Sequence, residues 1–208
     1  MQALLKAVAV RPKLRVMSQP QPALIDLPDF LAFEDASPLR HEYLGGNVYA
    51  MTGGSMRHNR IAGNIYSHLL KQLAGSPCQV FINDMKLHVQ AADSAYSSVY
   101  YPDVLVYCGS ATAGNAKVVT SAALIVEVLS ESTEQIDRRE KRVTYQRLAG
   151  LRAYWVVSQD EQQVEVHQRD AHGSWGIRLC KTGDVLDTAG LTPQPLTLAE
   201  VYAGTDLA

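Results

Sequence analysis

Two carboxylates lie in apolar segments that would not otherwise be expected to contain them. Residues 123–129 read Ala-Leu-Ile-Val-Glu-Val-Leu with Glu127 near the middle, and residues 101–107 read Tyr-Pro-Asp-Val-Leu-Val-Tyr with Asp103 near the start. An ionised carboxylate inside an apolar strand is costly unless another group neutralises it. If the two segments are neighbouring antiparallel strands, the start of the first lies beside the end of the second. The sequence therefore predicts that both carboxylates converge at one end of a sheet and hold a divalent cation.

Each carboxylate also has a purely structural interpretation. Pro102 and Asp103 form a dipeptide that commonly begins a turn. Glu127 could instead form a buried salt bridge with Lys141 or Arg138. The two carboxylates together favour the metal site, because carboxylates with perturbed pKa values are concentrated at functional sites.

A lysine is expected near the carboxylates, where it would stabilise the negative charge that develops during hydrolysis. Asp137, Lys141 and Tyr145 are spaced by four residues and share one face of a helix predicted after the second acidic strand. Lys141 leans back toward the end of that strand, because helix side chains tilt toward the N-terminus. The alternative is an exposed Asp–Lys pair worth about 0.3–0.5 kcal/mol. Lys86 is the second candidate, and it reaches Asp103 only if an earlier hairpin has the right register.

His58 follows Gly53-Gly54-Ser55 at a predicted helix start, where it either caps the helix or contacts a phosphate. His58 and His68 are ten residues apart and do not share a helical face, so no zinc site is expected. The glycine pair lacks the lysine of a phosphate-binding loop and the pattern of a nucleophile elbow.

The composition is that of an ordinary soluble domain, with 208 residues of which 47% are hydrophobic and 19% are charged. The net charge of −2 gives no overall sign of a nucleic-acid partner, although a local basic patch stays compatible with one. The three scattered cysteines predict reduced thiols in a cytoplasmic protein. No apolar stretch has the length of a membrane span. Residues 1–22 are interpreted as a flexible leader and residues 23–208 as one domain.

Periodicity and turn residues predict the secondary structure. Helices are expected at 27–36, 58–73 and 133–148, strands at 80–89, 153–158 and 163–168, a hairpin at 41–51, and a short turn opening at Thr197. We expect an antiparallel meander through residues 80–129, followed by a right-handed crossover helix and a parallel strand at 153–158. The helix at 58–73 should cover one face of the sheet.

Several ordered motifs resemble a known family. They are Tyr-Pro-Asp-Val (101–104), Val-Glu-Val-Leu-Ser (126–130) and Asp-Arg-Arg-Glu-Lys-Arg-Val-Thr-Tyr (137–145), followed by Tyr154-Trp155. Together they resemble the Uma-type restriction-endonuclease-like family of the PD-(D/E)XK nuclease superfamily, over about residues 27–170. The resemblance implies an α/β fold with a restriction-endonuclease-like core, a central mixed β-sheet flanked by helices. It also implies hydrolysis of DNA phosphodiester bonds with Mg²⁺, or with Mn²⁺ in its place.

The resemblance also assigns roles to individual residues. It makes Asp103 the first acidic metal ligand and Glu127 the second. The supporting residues it suggests are Glu42, His58, Asp137 and Tyr145. Position 129, where the Glu-x-Lys pattern has its lysine, is Leu129, so the lysine must come from elsewhere in the chain. We rank Lys141 first and Lys86 second.

The expected function is therefore that of a Mg²⁺-dependent endonuclease acting on DNA in the cytoplasm. The alternative is a catalytically silent module on the same fold that binds nucleic acid or serves in assembly. A hydrolase of another phosphodiester or of a nucleotide is a weaker alternative. No membrane partner is expected, and the sequence leaves open whether the protein forms a homodimer.

Overall fold

The computed structural model describes residues 24–90, 96–109, 114–130 and 136–208. The helices are α1 (Leu27–Ala36), α2 (Met56–Gln72), α3 (Arg142–Tyr145) and α4 (Leu198–Val201), and a π-helical segment (Ile136–Lys141) leads into α3. The strands up to the second acidic strand are β1 (His41–Leu44), β2 (Asn47–Ala50), β3 (Gln79–Ile82), β4 (Lys86–Gln90), β5 (Ser97–Tyr100), β6 (Val104–Tyr107), β7 (Val118–Val119) and β8 (Leu124–Val128). The later strands are β9 (Ala153–Val157), β10 (Gln163–Arg169), β11 (Trp175–Lys181), β12 (Val185–Leu186) and β13 (Leu196–Thr197). The predicted leader lies outside the described residues.

A six-stranded mixed sheet in the order β11-β10-β9-β8-β6-β3 carries both predicted acidic strands. Strands β6 and β8 are antiparallel neighbours, with Val104 opposite Val126. Strand β9 then runs parallel to β8, and β10 returns beside β9 as a hairpin. The predicted pairing of the acidic strands and the predicted parallel crossover are therefore confirmed.

The predicted single strand at 80–89 is wrong, and so is the meander built on it. Residue Asn83 has a φ of 59°, a left-handed conformation that asparagine tolerates better than most residues. The chain turns there, and β3 pairs with β6 while β4 enters a second sheet in the order β2-β1-β5-β4-β7. A change of sheet at such a corner is a common way to stack two sheets.

The two faces of the six-stranded sheet are covered differently. Helix α2 packs on one face through Ile61, Ile65 and Leu69, as predicted, and it begins two residues earlier than expected, with Ser55 as its N-cap. The other face packs against the five-stranded sheet in a core that includes Leu105 and aromatic side chains from both sheets. Helix α1 lies on the outside of the five-stranded sheet. An inward-facing polar side chain between the sheets is therefore shielded from water.

The predicted crossover helix is only partly regular. Residues 136–141 form a π-helical segment and α3 continues to Tyr145, while residues 131–135 lie outside the described part of the chain. Segments of π-helix are uncommon and are often found at functional sites. Lys141 is the last residue of the π-helical segment, at its junction with α3.

The expectation of reduced thiols is wrong for two of the three cysteines. Cys78 and Cys108 form a disulfide, while Cys180 is a buried free thiol. The antiparallel register of β3 and β6 places Gln79 opposite Tyr107, so the residues just outside that pair face each other. This pairing could not be predicted from the sequence, because the two cysteines are 30 residues apart.

Three smaller predictions are confirmed. The hairpin around Gly45 and Gly46 is β1–β2, and the first helix has its predicted bounds. A capping box formed by Thr197 and Glu200 opens α4. Within the described ranges, no helix has the length and apolar character needed to cross a membrane.

Candidate functional site

The two predicted acidic residues occupy neighbouring positions at one end of the six-stranded sheet. The last paired residues of the two strands at that end are Val104 and Val126. Asp103 and Glu127 each lie one residue beyond that pair, so the antiparallel register places them opposite each other. Their proximity comes from the pairing of two rigid, buried strands.

Asp103 is held through one of its carboxylate oxygens. The backbone N–H of Val128 donates a hydrogen bond of 2.7 Å to Oδ2, and Nε2 of His58 lies 3.2 Å from the same oxygen. Burial lowers the pKa of His58, but the hydrogen bond and charge of Asp103 outweigh that effect and raise the pKa overall. The hydroxyl of Ser55 accepts a hydrogen bond from the backbone N–H of His58. The helix is thus capped by the serine, and the imidazole contacts the carboxylate.

A close approach of the backbone positions the His58 ring. A Cβ placed on Gly54 would lie 2.7 Å from Nδ1 of His58, which is too close for any side chain larger than hydrogen. Among the described residues, that Nδ1 is buried and has no hydrogen-bond partner. Glycine at position 54 therefore lets the loop before α2 pack directly on the imidazole.

Glu127 is buried between the two sheets, and its side chain is 4% exposed. Nζ of Lys141 lies 3.2 Å from its Oε1, and the Tyr145 hydroxyl donates to the same oxygen at 2.8 Å. Burial raises the pKa of Glu127 well above its usual value; Lys141 opposes this shift, while Asp137 and Asp103 add to it. The structure thus contains the buried salt bridge that the sequence allowed as an alternative.

Lys141 connects three carboxylates. Besides Glu127, its Nζ lies 2.9 Å from Oε1 of Glu42 and 3.2 Å from Oδ1 of Asp137. It also lies 5.5 Å from the centre of the Tyr100 ring. Burial lowers the pKa of Lys141, but the three negative charges outweigh it and raise the pKa overall. The interpretation as an exposed Asp–Lys pair is wrong, because the Lys141 side chain is only 5% exposed.

Lys86 has a different set of neighbours. Strand β4 pairs with β5 and β7, so the pairing that would have brought Lys86 beside Asp103 does not form. Its ammonium instead donates to Asp35 at 2.9 Å, and Lys117 approaches the other oxygen of that aspartate at 3.0 Å. Hydrogen bonds from both lysines lower the pKa of Asp35. The structure therefore brings Lys141, and not Lys86, to the carboxylates.

The site as a whole carries more negative than positive charge. Its acidic side chains are Glu42, Asp103, Glu127 and Asp137, whereas its basic side chains are Lys141 and His58. The Oε1 atom of Glu42 and the Oδ1 atom of Asp137 are buried, within ion-pair distance of the lysine but without hydrogen-bond geometry. A small cation would relieve this excess of negative charge.

The donor set fits a hydrated Mg²⁺ better than a metal that needs a full cage of side chains. In the described part of the chain, Oδ1 of Asp103 and Oε2 of Glu127 have no hydrogen-bond partner. The same part of the chain contains no group of three or more His, Cys, Asp or Glu side chains placed to hold a metal. Mg²⁺ is commonly bound through one or two carboxylates and keeps several waters. Two carboxylates with free oxygens meet that requirement.

Two tyrosines of the site, Tyr100 and Tyr154, were not predicted as site residues, although Tyr154 belongs to one of the family-like motifs. The Tyr154 hydroxyl donates to the backbone oxygen of Asp137 at 3.0 Å and fixes the π-helical segment. The rings of Tyr100 and Tyr154 both pack edge-on against Tyr145. The available signal was their position within apolar strands, since a buried tyrosine hydroxyl usually has a polar partner.

Comparison with known proteins shows the family to which this chain belongs. The family model of Uma2, described as "Putative restriction endonuclease", matches residues 27–199. This chain belongs to the Uma2 family. Two uncharacterized proteins of Synechocystis sp. are similar to it. One is 31% identical over 159 residues, covering 76% of this chain and 82% of that protein, and the other is 28% identical over 149 residues, covering 71% and 82%.

A solved structure extends the likeness to the fold. The crystal structure of a protein from Anabaena variabilis, described as a "putative nuclease", matches with a TM-score of 0.70 and 16% identity, covering 86% of this chain and 97% of that chain. The predicted fold class, a restriction-endonuclease-like α/β core with a mixed sheet flanked by helices, is therefore confirmed for this member of the Uma2 family.

Proposed function

We propose that this protein is a Mg²⁺-dependent endonuclease that hydrolyses phosphodiester bonds of DNA. The observation that carries the proposal is the pair Asp103 and Glu127 at the sheet end where β6 begins and β8 ends, with Glu127 bound to the buried ammonium of Lys141. The description of the Uma2 family supports the same class of reaction.

The metal would be held by Asp103 and Glu127, with Mn²⁺ able to replace Mg²⁺. When bound, such an ion polarises the phosphate and lowers the pKa of a bound water. The protein has already oriented both carboxylates. The N–H of Val128 and the His58 ring fix Asp103, and the Tyr145 hydroxyl fixes Glu127.

Lys141 supplies the positive charge that the usual motif lysine would have supplied at position 129. Leu129 is apolar and buried. The raised pKa of Lys141 keeps its ammonium protonated at neutral pH. A fixed positive charge in a water-poor site stabilises negative charge more strongly than one in water does. We propose that Lys141, rather than Lys86, has this role.

The decisive experiment is cleavage of supercoiled DNA with Mg²⁺, with EDTA as the blank. Asp103→Asn and Glu127→Gln keep the side-chain shapes and should abolish cleavage, as should the alanine variants. Exposed carboxylates that lie outside the site serve as controls, and Asp187→Asn and Glu161→Gln should cut like the wild type. Full activity in Asp103→Asn or Glu127→Gln would refute the assignment.

A second candidate function is a catalytically silent module that binds nucleic acid. It is favoured by Leu129, which is apolar and buried where the family pattern has its lysine. Such a module would bind DNA without nicking it in Mg²⁺ or Mn²⁺, whereas the nuclease would nick it.

We propose a cytoplasmic location, because DNA is the proposed substrate. The disulfide Cys78–Cys108 opposes this proposal, since disulfides are uncommon in the cytoplasm. Thiol titration of protein isolated under alkylating conditions would test this, and a fully oxidised pair would count against the cytoplasm. Light scattering coupled to size-exclusion chromatography would test for a homodimer.

A further inference from the structure

A groove of about 910 Å³ opens beside the candidate site. One wall is the loop before α2 together with the exposed side of the first helical turns, which includes Gly53, Arg57 and Arg60. The opposite wall is the segment after β9 and the C-terminal residues, including Gln159 and Asp206. The proposed chemistry does not use any of these five residues.

The groove adjoins the carboxylate site. Gly54 lines the groove and packs against the ring of His58, which contacts Asp103. Ser130 also lines it, two residues after Val128, whose N–H holds the same aspartate. The groove lies at the carboxyl ends of the parallel strands β8 and β9, the end at which open α/β sheets usually bind ligands.

Ion pairs hold the walls of the groove in place. Nε and Nη2 of Arg57 form two hydrogen bonds of 2.7 and 2.6 Å to the Asp206 carboxylate, and its Nη1 donates to the carbonyl of Gln159 at 2.8 Å. These bonds join α2 to both parts of the opposite wall. The charge of Arg57 is matched by Asp206 and by Asp160, a further lining residue whose Oδ1 lies 3.6 Å from Nη1, so Arg57 acts mainly as a brace.

Arg60 is the cation of the groove that remains available. It lies three residues after Arg57, on the same side of α2, and it is exposed. Within residues 24–90, 96–109, 114–130 and 136–208, its guanidinium has no hydrogen bond or ion pair. An arginine placed in a groove without an internal partner suits a phosphate oxygen.

We infer that this groove binds the sugar-phosphate backbone of a single nucleic-acid strand next to the bond to be cut, with Arg60 on one phosphate. The inference rests on the proposed function and adds the form of the substrate. The volume is that of a small-ligand pocket, so it accommodates a few nucleotides of one strand. The pairing of Arg57 with Asp206 leaves one cation for phosphate contact.

Fluorescence anisotropy with labelled oligonucleotides tests the inference without relying on cleavage. A single strand and the duplex of the same sequence are titrated in EDTA, and in parallel in Ca²⁺, over a range of KCl concentrations. Arg60→Ala should lower the slope of log K against log[KCl] for the single strand by about 0.7, the value for one lost phosphate contact. The loss should be equal for different base sequences, because phosphate contacts carry no base information.

Arg152→Ala is the matched control, because Arg152 is also exposed but precedes β9 at the opposite end of the strand. Its slope should equal that of the wild type. Gly53→Leu is a second, steric variant. A Cβ at Gly53 meets nothing within 4 Å, so the leucine can extend into the groove without a clash and should weaken binding. Gly63→Leu, at an open position within α2 and outside the groove lining, should not weaken it.

The outcomes separate this inference from the proposed function. If the wild type cuts DNA while Arg60→Ala keeps the full salt slope and Gly53→Leu binds normally, the groove is not the strand site and the nuclease proposal stands. Binding of the duplex with no binding of the single strand would also overturn the inference. If the wild type binds the single strand through Arg60 but never nicks DNA, the inference stands and the nuclease proposal fails.

Discussion

Removing the ammonium of Lys141 should strongly destabilise the protein. Lys141→Met keeps most of the side-chain volume but leaves Glu42, Glu127 and Asp137 without their shared cation. Breaking a buried ion pair by removing one partner costs about 3–5 kcal/mol, because a buried charge is left uncompensated. For a domain of this size, each kcal/mol shifts Tm by about 2–4 °C, so we expect a fall of roughly 6–20 °C.

Thermal unfolding in EDTA, followed by circular dichroism, measures this effect. Lys117→Met is the matched control, because Lys117 also forms an ion pair with an aspartate but is 64% exposed. Exposed pairs contribute about 0–1 kcal/mol, so that variant should lose at most about 4 °C. The double variant Glu42→Gln/Lys141→Met should recover part of the loss, because one of the three stranded carboxylates is gone.

The loss of stability in Lys141→Met should increase with pH. The pKa of Glu127 is already raised above its usual value of 4.5, and loss of Lys141 removes the group that opposes the rise. A folded state with the higher pKa binds the proton more tightly than the unfolded state does. The loss of stability is therefore absent below about pH 4.5 and grows as pH rises through the folded pKa. A wild-type Tm in Lys141→Met, or a double variant no more stable than the single one, would refute the reasoning.

Three further predictions follow from other contacts. Mg²⁺ at a hundred times its Kd should stabilise the wild type by about 2.7 kcal/mol, measured as a rise in Tm over the value in EDTA. Asp103→Asn should show no such rise relative to its own Tm in EDTA, and an equal rise in both proteins would exclude Asp103 as a ligand. Lys86→Met should cut DNA at the wild-type rate in the nicking assay when folded, because Lys86 is bound to Asp35, and a dead Lys86→Met beside an active Lys141→Met would reverse our ranking. Burial lowers the pKa of His167 against the opposing charge of Glu165, so its contribution to stability is complete above about pH 6.5 and is lost as pH falls toward the folded pKa. His167→Phe should therefore show a smaller drop in Tm between about pH 8 and 5, and an unchanged drop would contradict this account.

Most of the local elements and the pairing of the two acidic strands could be predicted from the sequence. Glu127 lies in a strand that is apolar on both faces, and such a strand has to lie inside a sheet. The Asp103 strand is short, apolar and separated from it by turn residues, so antiparallel pairing was the simplest arrangement. Helix α2 was predicted from Ile61, Ile65 and Leu69, which are spaced four residues apart. These predictions were correct because the periodicity of apolar residues depends only on residues that are close together in the sequence.

The way in which these elements pack together could not be predicted from the sequence. The chain turns at Asn83 and enters a second sheet. This turn is stabilised by the packing of the two sheets and is not indicated by any local sequence pattern. That second sheet brings Glu42 to Lys141, 99 positions further along the chain. It also takes Lys86 away from Asp103 and gives it to Asp35. Which lysine reaches the site depends on contacts between distant segments, and these form only where burying both apolar faces outweighs the entropy of closing the intervening loops.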